Sequence, residues 1–144
     1  MLAAAFVSSL VISLSSVAGV PVSCVDDVSW GSSFPAQLAG AHGIYDEAGR
    51  RIYLRQIECE RLQLLGGGAR SSNVRRQYDF ASAVFLLAHE IAHARGIDDE
   101  ALADCAAGRT FLAVAARLGV GKGYARLLTD YLVNAHIPDR CYPA

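Results

Sequence analysis

Apolar residues recur at helical spacing over four stretches of this chain and alternate at strand spacing over two. From Phe80 to Arg95 the sequence Phe-Ala-Ser-Ala-Val-Phe-Leu-Leu-Ala-His-Glu-Ile-Ala-His-Ala-Arg is apolar nearly all round, which predicts a buried helix. Gly96 follows and suits the left-handed cap that ends such a helix. A second helix is predicted from about Asp99 to Leu118, with Phe111, Leu112, Val114, Ala115 and Leu118 as its apolar stripe. Asp98 reads as its N-cap, and Asp99 and Glu100 fall in its positive first turn. A last helix, about Tyr124 to Ala135, carries Leu127, Leu128, Tyr131 and Leu132 before Pro138 stops it. Upstream, Ile57 to Leu65 suggests a short helix, and Gly66-Gly67-Gly68 with Arg70 to Asn73 suggests a flexible loop. Ala41 to Tyr45 and Arg51 to Arg55 alternate apolar and polar residues around Asp46-Glu47-Ala48-Gly49, a β-hairpin pattern. Val25 to Pro35 reads as irregular, with Trp30 a packing anchor. The predicted fold is a small α+β domain: a hairpin or small sheet, then about three main helices.

Composition narrows this picture. The chain has 144 residues, enough for one domain with a single core. Its net charge of −1 offers no basic surplus for nucleic acid, and no Gly-rich phosphate loop is present. Leu2 to Cys24 is uncharged, and small residues near Ala18 suit signal-peptidase cleavage. Residues 1–20 are therefore expected to be a cleaved signal peptide, or else an uncleaved membrane anchor, ahead of a domain spanning 24–144. Either way the domain is expected outside the cytoplasm, meeting the membrane only through an uncleaved leader, and as a monomer. Cys24, Cys59, Cys105 and Cys141 agree with export, since they are even in number and show no C-x-x-C spacing. Among the three pairings open to four cysteines, the expected one is Cys24–Cys59 with Cys105–Cys141, each bond adding about 2–4 kcal/mol.

The candidate chemistry lies in His89-Glu90-Ile91-Ala92-His93, an H-E-x-x-H motif. Residues four apart sit one turn apart on one helix face, so both imidazoles can reach a single metal ion. Glu90 lies about 100° round the helix, beside the metal, where it can deprotonate a water. The bland alternative is a helix bearing two solvated histidines. A buried apolar helix argues against it, because buried imidazoles need partners. Downstream, Glu100 and Asp104 share a face of the second helix, also four apart. If the turn folds that face back, Glu100 becomes a third ligand and Asp104 can accept the free ring N–H of a ligating histidine.

H-E-x-x-H followed by Glu100-Ala-Leu-Ala-Asp104 resembles the glutamate-type zincins, the thermolysin-like and CAAX-protease-like metallopeptidases, over about residues 80–110. The resemblance implies a single Zn²⁺ on His89, His93 and Glu100, with Glu90 as general base and Asp104 supporting a ligand. Six residues separate His93 from Glu100, fewer than in thermolysin-like enzymes. A second pattern, His89-Glu90-x-x-His93-x-x-Gly96-x-x-Asp99, is similar to snapalysin-like metzincins and would make Asp99 the third ligand. Metzincins have a Met-turn under the metal, whereas the one methionine here is Met1. Resemblance to zincins also implies that the hairpin edges a cleft where an extended peptide adds as a strand. His136, near the end of the last helix, is a candidate for stabilising an oxyanion, and Tyr131 reads as core.

The function expected from these residues is zinc-dependent hydrolysis of a peptide or protein substrate by a secreted or surface-anchored zincin-like metallopeptidase. The alternative is a non-catalytic, zinc-stabilised, disulfide-bonded extracellular binding module.

Overall fold

The alternating segments pair as expected, and a third strand that the pattern did not announce joins them. In the computed structural model, which describes residues 14–144, β2 (Gly43–Asp46) and β3 (Arg51–Arg55) form the antiparallel hairpin. The strand β1 (Val22–Val25) lies parallel to β3 in the register Val22 to Ile52, giving the order β1-β3-β2. β1 ends at the start of the region read as irregular, Val25 to Pro35, and that region holds a seven-residue helix, α1 (Asp27–Ser33). Asp26 caps α1 by accepting from the Ser29 N–H at 2.8 Å, and the Trp30 indole N–H donates to Leu38 O at 3.0 Å. One sheet face buries Val22, Ile52 and Leu54 completely. On the other, Tyr53 and Arg55 meet Phe34 and Trp30 of the α1 region.

Helix α2 (Gln56–Gly66) follows β3 at once, then α3 (Val74–Ala94), α4 (Glu100–Arg117) and α5 (Lys122–Leu128). The predicted last helix is α5 followed by a tighter 3₁₀ segment, Thr129–Ala135, and a further 3₁₀ turn spans Asp139–Cys141. The architecture is a small α+β domain with a three-stranded sheet. Leu62, Val84, Leu87 and Phe111, from α2, α3 and α4, are fully buried in one core, each worth about 1.5–3 kcal/mol of transfer free energy. Both expected disulfides are formed. Cys24–Cys59 ties β1 to α2, and Cys105–Cys141 ties α4 to the C-terminal turn. Two disulfides mark a protein matured in an oxidising environment.

Of the expected leader, residues 1–13 lie outside the described part. Residues 14–18 are helical, and their Leu14, Val17 and Ala18 are buried in the main core. Ser15 Oγ accepts the Val22 N–H at 3.0 Å, fixing this turn to β1. A cut beside Ala18 would remove three residues that fill the core. Among the described residues, no helix is long and apolar enough to cross a membrane.

Candidate metal centre

Helix α3 ends in a Schellman turn, and that turn builds half the site. Gly96 sits at φ +98°, its N–H donates to His93 O at 3.0 Å, and the Ile97 N–H donates to Ala92 O at 3.1 Å. The reversal aims the Ile97 carbonyl back at the helix, where it accepts from His93 Nδ1 at 2.6 Å. Gly96 and Ile97 complete the first helix, so the cap of the second falls one residue later than expected. Asp99, rather than Asp98, is the N-cap of α4 and accepts from the Leu102 N–H at 2.9 Å. That occupation leaves Asp99 out of the cluster, while Glu100, the first helical residue, turns its carboxylate to the histidines.

His89 Nε2 lies 3.0 Å from Glu100 Oε2, His93 Nε2 lies 3.2 Å from Oε1, and the two Nε2 atoms are 3.0 Å apart. Asp104, one turn along α4, is 2.8 Å from His89 Nδ1. Each Nδ1 thus donates to an oxygen, Asp104 for His89 and Ile97 for His93, and each Nε2 presents a lone pair to the same point. Two lone pairs and a carboxylate converging at hydrogen-bond distance repel one another unless a cation lies among them. A tetrahedral ion with bonds of about 2.0–2.2 Å holds its ligand atoms about 3.3–3.6 Å apart, so a slight spreading of the three groups would admit one. His89, His93 and Glu100 form a group that fits a metal ion.

Glu90 is next to this group and differs from it. Its side chain is 4% exposed, and its Oε2 has no hydrogen-bond partner. Burial pushes its pKa above the ordinary carboxylate value, opposed by His89, by His93 and by the Tyr45 backbone N–H. The sheet presses close at this point. A Cβ on Gly43 of β2 would stand 3.0 Å from side-chain carbons of Leu54 and Leu86 and 3.3 Å from Glu90 Cγ. Glycine there lets the strand seat directly against α3.

These residues line an open cleft of 930 Å³ between the sheet and the helices. Its far wall carries a network that the sequence reading missed. Glu58, 3% exposed, contacts His42 Nδ1 at 3.2 Å and Arg61 at 2.7 Å, and Asp79 holds Arg61 at 3.6 Å and Arg75 at 3.5 Å. A signal existed: Glu58 falls on the same stripe as Leu62 and Leu65, an acid where α2 is otherwise buried. His136 does not reach the cleft. It is exposed in a left-handed conformation (φ 54°) that ends the 3₁₀ segment, so the oxyanion role suggested for it has no geometric basis. Tyr131 lines the cleft instead, its hydroxyl donating to Gln77 Oε1 at 2.6 Å.

No protein family, curated protein or solved structure matches this chain, and the reading of the site rests on its own geometry.

Proposed function

We propose that this protein is a zinc-dependent peptidase acting outside the cytoplasm. The observation that carries the reading is the convergence of His89, His93 and Glu100 beside a buried, unpartnered Glu90 carboxylate oxygen on the floor of an open cleft. His89, His93 and Glu100 would hold the ion. When bound, it supplies Lewis acidity to a water molecule and to the scissile carbonyl. Glu90 does the proton work. It accepts a proton from the water as the water oxygen bonds to the carbonyl carbon, then delivers it to the amine nitrogen as the C–N bond breaks. A raised pKa suits a group that must both take and return a proton near neutral pH. Asp104 and the Ile97 carbonyl keep both imidazoles in the tautomer and orientation a metal requires. Strand β2 is a sheet edge, paired to β3 on one side only, and its free backbone groups suit an extended peptide lying along the cleft.

A pair of variants tests the reading in zinc-supplemented protein. His89→Ala is expected to lose bound zinc and hydrolysis together. Glu90→Gln is expected to keep stoichiometric zinc and lose peptide hydrolysis by about 10²–10⁴-fold. Wild-type turnover by Glu90→Gln would sink the peptidase reading and leave the metal-stabilised binding module.

A further inference from the structure

The protein is almost neutral as a whole, yet its cleft is not. Of the chain's fourteen carboxylate side chains, seven line this one cleft, against two of its thirteen cationic ones. A divalent ion and both guanidinium groups fall short of neutralising them, even with Glu90 protonated. The seven are also engaged unequally. Glu58 and Asp79 are ion-paired with Arg61 and Arg75, Asp104 is bonded to His89, and Glu100 faces the imidazoles. Glu47, in the hairpin turn, and Asp98, in the loop between α3 and α4, line the cleft exposed and make no ion pair among the described residues. They come from two separate segments, the β2–β3 turn and the loop that joins α3 to α4. The buried, unpartnered oxygen of Glu90 marks the same cleft as one built around a guest.

We propose that the cleft takes cationic peptide segments, with Glu47 and Asp98 as the specificity-determining carboxylates for lysine or arginine side chains flanking the bond to be cut. This rests on the peptidase reading and adds the substrate class to it. An acidic, partly desolvated groove focuses its field outwards, raising the encounter rate of cationic ligands and excluding acidic ones. Arg61 does not reverse this, because two carboxylates already hold its guanidinium.

The test uses short quenched-fluorescence peptides of one backbone sequence with flanking lysine, glutamine or glutamate, and zinc-loaded full-length protein. At low ionic strength kcat/KM for the lysine peptide is expected to exceed that for the glutamate peptide by about tenfold or more, with the ratio shrinking as salt is added. Glu47→Gln with Asp98→Asn is expected to reduce the ratio, whereas a general loss of activity would lower both rates and leave the ratio alone. Equal rates for the three peptides, or an acidic preference, would overturn the proposal and spare the peptidase reading. If no peptide is cleaved, the same peptides are titrated against the protein by fluorescence anisotropy. Tighter binding of the lysine peptide then upholds charge selection while the peptidase reading falls, and equal binding overturns charge selection too.

Discussion

The two walls of the cleft are built in opposite ways. On the helical wall the donors and their supports come from one continuous stretch. His89 and Asp104 are fifteen positions apart, His93 and Ile97 four, and a single Schellman turn brings them together. The sheet wall is assembled from distant segments. Val22 pairs with Ile52, and Cys24 bonds to Cys59 across a separation of 35. Chemistry is thus held by local structure and the peptide-facing wall by long-range closure. Damage to each wall is expected to have a different signature.

The largest contrast comes from the disulfide of the sheet wall. Cys24→Ser with Cys59→Ser is expected to lower unfolding stability by about 2–4 kcal/mol, measured by denaturant titration. Metal affinity, measured by chelator competition where the variant remains folded, should change little, because no donor lies on that wall. A loss of metal affinity as large as the loss of stability would show that the walls are not independent.

A smaller effect is expected from the helical wall. Asp104→Asn removes the anion that accepts from His89 Nδ1, and metal binding should weaken by about 10–100-fold. Glu58→Gln serves as the opposing control. It breaks a buried charge-assisted contact to Arg61, with an expected loss of about 1–3 kcal/mol of stability and no change in metal affinity. Reversed outcomes for the two variants would exchange the roles assigned to the two walls.

The same division explains what was legible in the sequence. The H-E-x-x-H helix, the Gly96 turn and Glu100 were readable because periodicity and capping chemistry are local signals. The cap itself slipped from Asp98 to Asp99, since the turn that satisfies Ala92 O and His93 O consumes one more residue than a bare glycine cap. Strand β1 and helix α1 were not readable. Four residues beside a long apolar run make too short a pattern to read as a strand, and β1 becomes one by pairing with Ile52 to Arg55. Asp27–Ser33, with its serines and Gly31, has poor helix propensity; the Asp26 cap and the buried Trp30 hold it. The burial of Leu14, Val17 and Ala18 was not readable either, because an apolar stretch beside small residues has the same composition in a leader and in a core. His136 was misplaced because the helix predicted through Ala135 tightens to 3₁₀ after Leu128, which changes where its last residues point.

The smallest effect concerns Glu90 in the metal-free protein, with chelator present throughout. Its folded-state pKa lies above the ordinary 4.5 because the carboxyl is buried, so the folded state holds the proton more tightly than the unfolded chain does. Its contribution to stability is therefore fully present below pH 4.5 and is lost as pH rises through the raised value. Subtracting the stability–pH curve of Glu90→Gln from that of the wild type isolates this group from the other carboxylates. A downward slope in the difference is expected, modest because the two histidines and the Tyr45 N–H oppose the burial. A flat difference would mean that water reaches the Glu90 carboxylate when the ion is absent. The helical wall would then open without its metal, and the two walls would differ in rigidity as well as in construction.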